Sequence, residues 1–210
     1  MKKRDGTRYL VLMAVGVLLN FALYEAAHTF HLPLWMDNVG TAYAAVMLEP
    51  AAGLIVAFAT NFFQSVFVYS SSSLIYYFVS ACVALTFGVL LRRQGRLCWR
   101  RLPLAGAAFW LVCGVLAWAI TLWRTGGVSE SGWEGYFCQA ALGWGAPAPL
   151  AGLFGVLVLK AADMLVTMAA LPVLYAATPK WMVTEQLGEQ LSWRAPLFVK
   201  KEGGMPGGER

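Results

Sequence analysis

The ten residues Val39-Gly-Thr-Ala-Tyr-Ala-Ala-Val-Met-Leu48 decide how this chain is laid out. They are apolar or small throughout, yet a transmembrane helix needs about 20 mostly apolar residues. Drawn back to Pro33, the run makes a helix of about 24 Å at 1.5 Å per residue, against a hydrocarbon core of about 30 Å. Whether it counts as a crossing sets the side on which every later segment lies.

Longer apolar runs flank it: Tyr9 to Ala27 before, then Ala51 to Tyr69, Leu74 to Leu91, Leu102 to Trp123, and Leu150 to Ala177, the last interrupted only by Lys160 and Asp163. The 210 residues are 59% hydrophobic and 13% charged, with a mean hydropathy of +0.61. An ordinary soluble domain carries roughly 25% charged residues, and a chain this small cannot hide so much apolar surface in one core. Composition therefore excludes a soluble enzyme and a disordered chain, and makes the lipid bilayer the expected environment.

The charge pattern counts the crossings. Lys and Arg stay on the cytoplasmic side of membrane proteins. Here they gather in three places: Lys2, Lys3, Arg4 and Arg8; Arg92, Arg93, Arg96, Arg100 and Arg101; and Lys180, Arg194, Lys200, Lys201 and Arg210. These segments share one side only if the chain crosses twice before Ala51, so the short run is expected to be a span. The expected fold is all-α, a bundle of six transmembrane helices with both termini cytoplasmic. Connectors 28–38, 70–73 and 124–149 then face outward, with Arg124 as their one basic residue. The net charge of +5 belongs to this segregation, and no nucleic-acid partner is expected. Residues 1–177 make the membrane domain. Residues 178–210 make a tail, with an interfacial helix over Lys180 to Leu191 and a disordered Gly-Gly-Met-Pro-Gly-Gly end. The first run is too long for a typical signal-peptide core and is read as a retained helix.

Trp35, Trp99, Trp123 and Trp181 fall at the expected water boundaries, as an aromatic belt does. A short helix is expected around Tyr136 to Leu142. Cys82, Cys98, Cys113 and Cys138 have no paired spacing and read as packing residues. There is no Walker A motif and no HExxH, and no catalytic constellation is expected. His28 and His31, with Asp37 six residues on, have the spacing of a metal site but equally that of two boundary histidines; no metal or cofactor is expected.

Polar residues inside lipid are costly and usually face a cavity or another helix. Glu25 lies near the outer end of the first span. Asn61 and Gln64 share a face of the third, where they either contact a solute or bond between helices. Lys160 and Asp163 share a face of the last and read as a self-neutralising ion pair. Asp37 and Asn38 stand where a short span begins, a position suited to a solute site and to an N-cap. Trp35, Trp133, Tyr136 and Trp144 offer flat aromatic surfaces outside. Ala22-x-x-x-Ala26, Gly53-x-x-x-Ala57 and Ala151-x-x-x-Gly155 allow helices to approach closely.

The stretch Leu32-Pro-Leu-Trp-Met-Asp-Asn-Val-Gly-Thr41, with Glu49-Pro-Ala-Ala-Gly53 and Thr60-Asn-Phe62, resembles the second and third helices of the S components of energy-coupling-factor (ECF) vitamin transporters. Ala162-Asp-Met-Leu-Val-Thr167 is similar to part of their last helix. Glu49 and Met164 stand where the pattern has glycine and lysine. The resemblance implies a substrate-binding subunit in a bacterial plasma membrane, working with a T component and two ATPase subunits, that captures a vitamin or similar micronutrient from outside. For such a subunit, the polar and aromatic positions picked out above, Trp35, Asp37, Asn38, Asn61, Gln64, Glu25, Trp133 and Tyr136, are the candidate substrate contacts. It also implies a small-residue face on the first span that docks the T component, with Ala22 and Ala26 or the deeper Ala14 and Gly16 as candidates. A membrane sensory module, a small independent carrier and an intramembrane enzyme are the other readings.

Overall fold

The structure, a computed structural model, describes residues 3–68, 71–93, 96–129 and 132–179. The expected interfacial helix and disordered end, with Trp181, lie outside the described residues. Among those described, five helical stretches are long and apolar enough to cross a membrane: Gly6–Thr29, Pro50–Phe67, Ser73–Leu91, Trp99–Thr125 and Ala148–Ala177. The first lies within helix α1 (Lys3–Thr29), the second is α3 (Pro50–Phe67), and the last is α8 (Ala148–Ala177). The third joins a 3-10 turn to α4 (Tyr77–Leu91). The fourth contains α5 (Leu102–Ala108), a π-helical turn over Phe109–Cys113 and α6 (Gly114–Thr125).

The decisive short run becomes α2 (Val39–Met47), nine residues long, or about 13.5 Å at 1.5 Å per residue. The expected extension back to Pro33 does not form. Residues 30–38 make an irregular connector in which His31 and Met36 take positive φ angles of 51° and 54°. All nine residues of α2 are buried, because α1, α3, α4 and α8 enclose it. A helix apolar on every side suits such a position.

Contacts fix the directions. A Cβ on Gly16 of α1 would lie 3.0 Å from the Gly40 carbonyl and 3.3 Å from Val56 of α3. One turn on, Asn20 bonds Thr41 of α2 and Thr60 of α3. So α1 and α3 run parallel. At the far end of α2, Arg92 donates to the Leu48 carbonyl, a basic group at a helix C-terminus, as favoured there. A Cβ on Gly40 would come within 1.9 Å of the Gly16 carbonyl, so only glycine allows this crossing of α1 and α2. The apolar core, with Leu12, Met47, Phe87, Leu91 and Phe109, sits around α2 and toward the arginine-rich hairpin of β1 (Arg92–Arg93) and β2 (Arg96–Leu97).

The expected short helix near Tyr136 is α7 (Gly132–Gly143), longer than its sequence signal. It lies antiparallel to the first half of α8: the Glu134 carbonyl and Cys138 amide abut Gly155, and Trp144 meets Phe154. The small residues Ala151 and Gly155 are thus used inside the fold, as is Gly53, which fits against Ala45 and Ala84. The four cysteines are free.

Candidate functional site

Asp163 holds the connector in place. Its Oδ1 accepts the backbone N–H groups of Trp35 at 2.9 Å and Met36 at 3.2 Å, while its Oδ2 faces Lys160 Nζ at 3.2 Å. The ion pair expected from the i, i+3 spacing is present, but it does not stand alone. One carboxylate neutralises a buried ammonium and also satisfies two amides of an irregular loop. Unpaired, such amides cost roughly 1–3 kcal/mol each when buried. This seat accounts for the positive φ at Met36, a conformation that costs of order 1–3 kcal/mol and persists when its surroundings over-determine it.

The N-cap expected of Asp37 or Asn38 is not made. Asn38 occupies the cap position without a side-chain cap bond. The first turn of α2 is served across the helix interface, where the Gly40 N–H donates to Asn20 Oδ1 at 2.6 Å. The amide nitrogen of Asn20 donates to Thr41 Oγ1 at 3.0 Å and Thr60 Oγ1 at 3.1 Å. Asn20 therefore ties three helices and frees the Asp37 and Asn38 side chains. Asn38 Nδ2 donates to Asp37 Oδ1.

Both of these side chains line a cavity of about 440 Å³ at the end of the bundle remote from the arginine hairpin. Small-molecule sites commonly measure about 300–1,000 Å³. Trp35 borders the cavity on the connector side, and α3 contributes Asn61 and Gln64. The two differ. Asn61 Nδ2 donates to the Ala57 carbonyl and to Ser80 Oγ of α4, both at 2.9 Å, so it bridges helices. Gln64 Nε2 is buried with no partner. Hydroxyls complete the wall: Ser65 bonds Ser73 at 3.0 Å, and Tyr76 meets Thr121 at 3.3 Å. Above Tyr76 lies the Arg124 guanidinium, 5.8 Å from the ring centre.

Four acidic or basic residues line this space: Asp37, Glu134, Lys160 and Arg124. The charges of Lys160 and Asp163 both act on the Asp37 carboxylate. On α7, outside the spans, burial raises the Glu134 carboxyl, against a hydrogen bond from Ser129 and the charge of Lys160. The arrangement is a polar, charged chamber inside an apolar bundle. It can hold a small polar solute through ion pairing and hydrogen bonds while the helices exclude bulk water.

Trp133 and Tyr136 do not reach it. They line a second cavity of about 580 Å³, with His28, His31 and Tyr24, on the other side of Trp35. Trp35 and Glu134 border both cavities. Trp133 Nε1 donates to the His31 carbonyl at 3.0 Å, which ties α7 to the connector. No group of three His, Cys, Asp or Glu side chains able to hold a metal occurs among the described residues. Glu25 is exposed on α1 and lines neither cavity. Of the docking candidates, Ala14 and Ala22 are exposed and Ala26 is half-buried. Gly16 is buried in the crossing with Gly40, so it is not on an outer face.

Sequence reasoning passed over Asn20 and did not place Lys160 in the cavity wall. A lone Asn in the middle of the first apolar run was the available signal for Asn20, by the same cost argument that marked Asn61. Compared with protein-family models, curated proteins and solved structures, the chain matches none.

Proposed function

We propose that this chain is the substrate-binding S component of an ECF-type importer. One observation carries the reading: a polar, charged cavity lies within an apolar helical bundle, roofed by a connector that is pinned from below by Asp163. With the arginine hairpin in the cytoplasm, as basic segments prefer, the cavity faces outward. The connector and α2 then complete the sixth crossing together, the connector descending to the depth of Asn20 and α2 continuing to the level of Arg92. Broken, short segments of this kind are where transporters bind their solutes. Trp35, Asp37 and Gln64 contact the solute, a vitamin or similar micronutrient. Asn61 shapes the wall, and Trp133 and Tyr136 form an outer vestibule. The T component docks on the exposed face of α1 that carries Ala14 and Ala22. ATP hydrolysis belongs to two partner subunits and catalysis to none of this chain's residues.

The test is assembly. Co-expressed with a T component and two ATPase subunits, the chain co-purifies with them, and Ala14→Leu or Ala22→Leu reduces that recovery without lowering its own expression. Purification of the chain free of all three, under conditions where a known S component is retained, contradicts the assignment.

A further inference from the structure

The cavity's charges and unpaired atoms define the chemistry of its occupant. Asp37 and Glu134 supply two carboxylates to its wall and Lys160 and Arg124 two cations, with Asp163 behind the wall. Lys160 is engaged by Asp163 at 3.2 Å. Among the described residues no Lys or Arg nitrogen lies within ion-pair distance of Asp37. Its carboxylate accepts from the neutral amide of Asn38 and from its own backbone N–H, and the Lys160 charge reaches it without pairing. Because Asn38 turns its nitrogen toward that carboxylate, its Oδ1 is left over, buried and without a partner. Asn38 is 3% exposed and Gln64 4% exposed, so neither unpaired atom is a surface feature. Buried polar groups are otherwise almost always hydrogen-bonded, and an exception calls for an explanation.

Two neighbouring acceptors, one of them ionised, suit a cation that carries several N–H donors. An ammonium has three and no acceptor, so it can give one hydrogen to Asp37 and another to Asn38 Oδ1. A carboxylate or phosphate ligand meets repulsion at that spot. In the same lining, on α3, the unpaired nitrogen of Gln64 needs an acceptor. Trp35 on the cavity's border offers a face for a ring or for the cation itself.

Resting on the solute-binding reading above, we propose that the occupant is a small, polar, protonated amine, an aminomethyl heterocycle in type, whose ammonium sits between Asp37 and Asn38 and whose acceptor atom meets Gln64. The test measures thermal stabilisation of the full-length protein in detergent by matched sets of ring compounds. Each set comprises the aminomethyl, hydroxymethyl and carboxyl derivatives of one ring: pyridine, pyrimidine, imidazole or thiazole. The aminomethyl members stabilise, the alcohols do so weakly, and the carboxylates do not. Asp37→Asn weakens amine binding about 10- to 150-fold, as loss of a charged hydrogen-bond partner does. The wild-type series decides the charge class even if the variant folds poorly. Stabilisation by alcohols or carboxylates over amines overturns the inference and leaves a solute-binding protein. An amine preference that survives in folded Asp37→Asn overturns the role of Asp37. No stabiliser of any charge, with no small molecule retained in native mass spectra, overturns both this inference and the solute-binding reading.

Discussion

Asp163 on α8 and Trp35 in the connector are 128 positions apart, and the carboxylate of one accepts the backbone N–H of the other at 2.9 Å. This bond decides where the connector lies. It draws the loop down against α8, sets Trp35 between the two cavities and leaves Asp37 beside the chamber. The last apolar run and the connector that leads into the short run are thereby parts of one site.

The pair on α8 should respond unequally to truncation. In Lys160→Met, Asp163 keeps two backbone donors. Asp163→Ala strands a buried ammonium and two amides, and breaking a buried pair from one side costs about 3–5 kcal/mol. Thermal unfolding in detergent should place Asp163→Ala well below Lys160→Met. Equal losses contradict the seat assigned to Asp163.

The α1–α2 crossing gives a graded series. Gly40→Ala forces a methyl against the Gly16 carbonyl at 1.9 Å, whereas the methyl of Gly16→Ala meets neighbours at 3.0 Å and that of Gly143→Ala meets nothing within 4 Å. Yield of folded protein should fall in that order, with Gly143→Ala near wild type. A folded Gly40→Ala protein of unchanged stability shows that α2 does not cross α1 as described.

Orientation is open to labelling. In a background without native cysteines, Cys at position 96 should react with an impermeant maleimide only after cells are opened, and Cys at position 133 should react in intact cells. The reverse pattern inverts the bundle, and labelling of both from outside removes one crossing.

Much of the architecture was legible because burial in lipid is strict. Apolar runs and segregated arginines located the five long helices, and the cost of polar groups pointed to Asp37, Asn38, Asn61 and Gln64, which line one cavity. What that cost cannot say is which partner a polar atom finds. Asn61 went to Ser80 and Gln64 to nothing, though the two look alike in sequence. The N-cap failed as a prediction because a residue of another helix, Asn20, serves the Gly40 amide. Pro33 to Asn38 stayed irregular because Asp163 offers its amides a better partner than a lengthened helix does. Trp133 and Tyr136 were assigned by their chemistry alone, and the packing of α7 on α8 carried them to the second cavity.

Whether the chamber lined by Asp37 and Gln64 holds a solute can be read by native mass spectrometry of the purified protein. Wild-type protein should carry a discrete small-molecule adduct. Gln64→Leu, which removes an unpaired amide and leaves the Asn61–Ser80 bridge intact, should fold normally and lose that adduct. No adduct on the wild type under gentle conditions, or an adduct unchanged in both Gln64→Leu and Asp37→Asn, means that the chamber is not a solute site.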